Sequence, residues 1–215
     1  MPSKRNATVP ADSSRVESRT NQLTQRLLEA AAQLFMEKGY DATSMGEISA
    51  RAHASKETFY RHFPTKEDLF RAVVVQRAER LAQDLGTILV DTQPPGKALK
   101  AFGERTLTRL MTKDSIAFHR VLATARERFP DLLELYRTTG GYRVRDTVTR
   151  YLKAQIAQGN LRKMDPEVAA RQFFDLVAAE MIISANMTGK SNPPRAAIKQ
   201  RVKEALDCFL HGYAV

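Results

Sequence analysis

Cysteine is almost absent from this chain of 215 residues, with Cys208 alone. That excludes an internal disulfide framework and a cysteine zinc set, and it suits a reducing compartment. Histidine is scarce as well. His53, His62, His119 and His211 fall at spacings that make no metal-ligand set, so neither a metal nor another cofactor is expected. No apolar run approaches the roughly 18 residues that a bilayer span needs, so no membrane association is expected. The first 21 residues hold no hydrophobic segment of the kind a secretory signal requires. Phosphate-cradling glycine loops and nucleophile-elbow patterns are missing, which leaves an enzymatic reading without support. There is also no strand-like alternation bounded by hairpin turns, and no repeat of fixed period.

What remains is a helical pattern with enough apolar residues, 43% of the chain, to bury a real core. The net charge of +10 invites a nucleic-acid reading, but its distribution is uneven. Residues 1–71 carry 11 Lys+Arg against 9 Asp+Glu, and residues 72–215 carry 23 against 15. Most of the excess therefore lies in the C-terminal two thirds. Solubility, long-range steering toward DNA and an anionic ligand all remain open as its purpose.

Residues 1–21 are polar and without periodicity, and are expected to form a flexible arm. Lys4, Arg5, Arg15 and Arg19 in it could enter a minor groove or simply be solvated. From Thr24 to Lys38, Leu27, Leu28, Ala31, Leu34 and Phe35 recur at helical spacing, and Gly39 follows where a left-handed cap costs least. Lys66 to about Val90 reads as one long helix. Gln93-Pro94-Pro95-Gly96 breaks the chain, and five more helical patterns follow. Gly140-Gly141 interrupts the longest of them and marks an expected kink or short break. Asp165-Pro166-Glu167 combines a cap, a first-turn proline and a favourable dipole charge. The expected fold is all-α, with about nine helices.

The segment Ser44–Leu69 is the most informative. Ser44 with Glu47 fits a capping box, Ser55 opens a second short helix, and Thr65 after Pro64 opens a third. Two short helices joined by a few residues form a helix-turn-helix, which can place its second helix in a DNA major groove. Ser55 as N-cap leaves amides pointing outward, and helix N-termini attract phosphate. Lys56 and Thr58 sit where side chains reach base edges, with Arg61 and His62 one turn on. Lysine can donate to guanine, and the threonine methyl can pack on thymine. Glu57 would either accept from a cytosine amino group or pair with Arg61, four residues on. His53 falls in the turn, where a positive φ is expected.

The run ARAHASKETFYRHFPTKEDL resembles the TetR family of transcriptional regulators, through Ala52, Ser55, Phe59, Tyr60, His62, Phe63, Lys66, Glu67 and Leu69. His53 and Glu57 depart from it where glycine is usual, and Ala54 where valine is usual. Upstream, LLEAAAQLFMEKGYDATSMGEIS is similar to the family's first helix and its entry to the second. The segment FPDLLELY and the helices after it resemble the C-terminal bodies of AefR-like regulators. The resemblance implies a three-helix DNA-binding domain over residues 22–70 and a ligand-binding and dimerisation body over 71–215. It assigns Tyr60 and Lys66 to phosphate contacts and Thr43, at the entrance to the second helix beside Ser44, to a similar role. It also implies a pseudo-palindromic double-stranded operator, a bacterial cytoplasmic location and a small-molecule effector.

The implied cavity lies in the C-terminal body. Phe102, Thr106, Leu110, His119, Leu122 and Tyr136 could line it, as could Phe173, Val177 and Met181; each could equally be plain core. Glu180 in an apolar stretch could be exposed, paired with an arginine such as Arg126, or aimed at a ligand. Two stripes, Ala169, Phe173, Leu176, Ala179 and Ile183, then Ala197, Val202, Leu206 and Leu210, suit either a dimer interface through the last two helices or internal packing. A repressor released by its effector is the leading reading. An effector-independent activator or architectural protein, or a helical ligand-binding protein with a decayed reader, stay open.

Overall fold

In the computed structural model, residues 11–213 are described, with side chains from 21 to 212. Among them the chain is helical throughout, with no β-strand. Its α-helices are α1 (Ala11–Lys38), α2 (Met45–Arg51), α3 (Lys56–His62), α4 (Lys66–Gly86), α5 (Pro95–Leu110), α6 (Lys113–Ala125), α7 (Leu132–Tyr136), α8 (Tyr142–Ala157), α9 (Pro166–Phe174), α10 (Glu180–Thr188) and α11 (Arg195–Tyr213). Single π-helical turns, Arg137–Gly141 and Asp175–Ala179, join α7 to α8 and α9 to α10 without a break. The described residues thus form nine helical rods, as the punctuation of the sequence suggests. None is long and apolar enough to cross a membrane.

The chain divides into two units, one up to Val73 and one from Val74. α1 begins at Ala11, so residues 11–21 are helical, contrary to the expected irregular arm. Lys4 and Arg5 lie outside the described residues. The first unit closes around Phe35, Tyr40 and Phe70, whose rings approach within 4.9 to 5.7 Å. Leu27, Leu34, Ile48, Phe59 and Leu69 are buried with them. α1 stops where expected: Gly39 takes φ 81° and donates its amide to the Phe35 carbonyl at 2.8 Å, a conformation that costs glycine little.

In the second unit α5 lies against α11, and Gly103 makes the close approach possible. A Cβ there would sit 3.1 Å from a Val202 methyl. Tyr151, Phe102, Phe173 and Phe209 fill the centre of this core. The segment between α4 and α5 is tied down from α8: Tyr151 donates to the Gln93 carbonyl and Gln155 to the Asp91 carbonyl, each at 2.7 Å. Burial pushes the Tyr151 hydroxyl up to about 12. α9 starts on the expected cap, with Asp165 accepting from the amides of Glu167 and Val168.

Gly140 lets α4 approach the first π turn closely. A Cβ at that position would lie 2.6 Å from the Ala78 carbonyl oxygen, so α4 and this turn meet backbone to backbone. The expected kink is a one-turn widening of the helix, and the rod continues through it.

Candidate functional site

The helix-turn-helix is assembled by its caps. Ser44 accepts from the Glu47 amide at 3.2 Å, and the Glu47 carboxylate accepts from the Ser44 amide at 3.0 Å, completing the capping box. A hydrogen bond from Lys38 of α1, with the Ser44 contacts, holds the Glu47 carboxyl down to about 2. Arg51 pairs with Glu37, so two ion pairs join α1 to α2. Ser55 caps α3 by accepting from the Thr58 amide at 3.2 Å. In the turn between α2 and α3, His53 takes φ 51°, the left-handed conformation expected where glycine is usual.

α3 buries Phe59, with Phe63 just beyond it, and presents Lys56, Glu57, Tyr60 and Arg61 to solvent. Tyr60 is 49% exposed, with its ring edge-on to Phe59. Thr58 and His62 are half-buried, and the His62 ring bonds back to the Thr58 carbonyl at 2.8 Å. Glu57 and Arg61 form no ion pair among the described residues, which removes the simpler account of Glu57.

Two residues assigned to phosphate have other partners. Thr43 is 2% exposed, and its hydroxyl donates inward to the carbonyls of Leu34 and Gly39. The Lys66 ammonium donates to the carbonyls of Tyr40, Asp41 and Thr43 at 3.0, 3.3 and 2.9 Å, and it lies 4.4 Å from the Tyr40 ring centroid. An ammonium has three protons, so Lys66 is committed to the turn after α1. The sequence gives the residue type but not the carbonyls that converge on it.

The second unit holds a cavity of about 700 Å³, within the size range of small-molecule sites. Thr106, Leu110, His119, Leu122 and Tyr136 line it, and so does Arg126. Phe102, Phe173 and Val177 do not; they are buried in the core. Glu180 is exposed, and with Met181 it borders a separate depression near Met111, Asn192 and Arg201.

Sequence reasoning missed Leu81 and Leu85 of α4, Tyr142 and Arg145 of α8, and Arg171 and Phe174 of α9, all in the cavity wall. It also missed that both π turns border the cavity, through Arg137, Gly141 and Asp175. Such turns are frequent at functional sites, and the double glycine is the one trace that either leaves in the sequence.

The polar groups in this wall are unusual. Thr106 is 2% exposed, and its hydroxyl finds no partner. His119 bonds Tyr136 through Nε2 at 3.4 Å, while its Nδ1 is buried without a partner. Burial, helped by Arg77, lowers the His119 pKa from its ordinary 6.5, and burial raises that of Tyr136. Both are therefore neutral near pH 7. No cluster of three or more His, Cys, Asp or Glu that could hold a metal occurs among the described residues.

Residues 27–73 match the sequence profile described as bacterial regulatory proteins, tetR family. Residues 97–215 match that of the AefR-like transcriptional repressor, C-terminal domain. The HTH-type transcriptional activator FasR of Mycolicibacterium smegmatis is 36% identical over 76 residues, which is 35% of each chain; the match thus spans about a third of that relative's length. A TetR-family transcriptional regulator structure from Mesorhizobium loti has a TM-score of 0.87 at 26% identity, covering 92% of this chain and 99% of that one. The flavonoid-responsive regulator FrrA has a TM-score of 0.75 at 32% identity, covering 90% and 98%.

Proposed function

The chain belongs to the TetR family of DNA-binding bacterial regulators, with an AefR-like C-terminal body, and from that premise we propose that it is a homodimeric repressor released from its operator by a small molecule. The observation that carries the reading is the outward face of α3. Lys56, Tyr60 and Arg61 stand in solvent on a helix that Phe59 and Phe63 anchor behind them. Two such helices about 34–36 Å apart, or a multiple of that, would enter successive major grooves of a pseudo-palindromic site. Lys56 would read guanine, the Thr58 methyl would meet thymine, and Tyr60 and Arg61 would fix the register on phosphate.

The cavity supports an effector. Leu81 and Leu85 place the C-terminal half of α4 in its wall, and α4 is the helix through which the two units are continuous in the chain. A ligand that binds one position of α4 more tightly than another biases the operator-binding state by that difference. The name of FrrA, flavonoid-responsive, favours a small organic effector over effector-free binding. FasR is named an activator, but its match covers 76 residues, whereas the profile over the body is that of a repressor.

Fluorescence anisotropy on promoter fragments from the protein's own gene and its neighbours tests the reading. Lys56→Ala and Tyr60→Phe should each weaken operator binding without changing thermal unfolding. If both bind as tightly as the parent chain, α3 is not the reading face.

A further inference from the structure

Resting on the reading of the cavity as the effector site, we infer that the effector is an amphipathic anion. It is an apolar acyl or aryl body that carries a carboxylate. The apolar requirement comes from Leu81, Leu85, Leu110, Leu122, Val144 and Ile182 in the wall. A sugar phosphate or other fully polar metabolite would leave these side chains facing polar atoms that cannot bond to them.

The charge comes from an imbalance. Arg126, Arg137, Arg145 and Arg171 border the cavity, against Asp175 as its one acid. None of the four arginines forms an ion pair among the described residues. Two are held in place: the guanidinium groups of Arg137 and Arg145 lie 5.0 and 4.6 Å from the ring centroid of Tyr142. A stacked guanidinium keeps its fork of donors aimed and loses little freedom on binding a carboxylate. Such a lining repels cations and rewards an oxyanion over a neutral oxygen.

Two polar atoms of the same wall stay unpaired. The Thr106 hydroxyl and His119 Nδ1 are buried in this wall without partners, and buried polar groups are ordinarily paired.

Isothermal titration calorimetry on the full chain at low salt, with two matched pairs of probes, tests the inference. One pair is decanoate and decan-1-ol; the other is naphthalene-2-carboxylate and naphthalen-2-ylmethanol. In at least one pair the acid should bind on the order of tenfold more tightly than the alcohol, and the favoured pair tells acyl from aryl. The double variant Arg137→Gln/Arg145→Gln should remove most of that preference and change the alcohol's affinity little. Alcohols that bind as tightly as the acids, a variant that weakens both alike, or no binding of any probe overturns the inference. Operator binding, measured in parallel, separates the two levels. Operator binding without a preference for the acids sinks only the effector class; the acid preference without operator binding sinks only the regulatory reading.

Discussion

Lys56 and Lys66 are ten residues apart and have the same charge, yet the structure gives them opposite circumstances. Lys56 is in solvent on α3, while Lys66 ties together the three carbonyls after α1. Removing Lys66 should therefore act through folding. Lys66→Met strands those carbonyls and should cost about 1–3 kcal/mol in urea unfolding, with the salt dependence of operator binding unchanged. Arg61→Ala should do the reverse. Stability stays the same, and the slope of log affinity against log salt becomes shallower by about 0.9 for each protomer whose phosphate contact is lost. A shallower slope for Lys66→Met would restore the phosphate role that family resemblance suggests. His119 makes a pH prediction. Its folded pKa lies below 6.5, so on acidification the unfolded chain takes up a proton before the folded one does. Stability is then unaffected above about pH 6.5 and falls as pH drops toward the folded value. Between pH 7.5 and 5.5 the parent chain should lose stability that His119→Phe keeps, as thermal melts at each pH will show.

At the scale of elements, the caps were legible in the sequence and the close approaches were not. Ser44 with Glu47, Ser55, Asp165 and Gly39 act through bonds to residues at most four positions away, so short patterns reveal them. The π turns answer to distant partners. Gly140 is glycine because the Ala78 carbonyl lies where its Cβ would be, and no local pattern names Ala78. Gly140→Ala should force α4 and the Arg137–Gly141 turn apart and destabilise the chain by about 1–3 kcal/mol. Gly141→Ala, whose Cβ meets nothing within 4 Å, should cost far less. Equal losses in chemical denaturation would mean that helix geometry, rather than this contact, places the glycine. The start of α1 at Ala11 was illegible for a related reason, since a polar stretch without apolar periodicity gives no helical signal to read.

For the whole molecule, amphipathic stripes cannot distinguish a core shared within one chain from a core shared between two. Ala169, Phe173, Val202 and Leu206 were candidates for a dimer interface, and all four are buried within the second unit. The large apolar residues of the last helices that stay outside are Ile183, 60% exposed, and Met187, 82% exposed, while Ala197 of the second stripe is exposed as well. Both lie on α10 one turn apart, on a surface that a second copy would cover in a two-fold, self-complementary contact. Because both are mostly exposed in their own chain, the double variant Ile183→Glu/Met187→Glu should change unfolding of the single chain little, by about 0.5 kcal/mol. The introduced carboxylates would face their own symmetry mates, so the effect on association is doubled at the axis. Sedimentation velocity should show the parent chain as a dimer and the variant as a monomer. Operator affinity should fall steeply in the same variant, because a lone α3 reads half a site. If the variant sediments as a dimer, association runs through some other surface than this face of α10. If it is monomeric yet binds operator unchanged, the two-fold reading of the site is wrong.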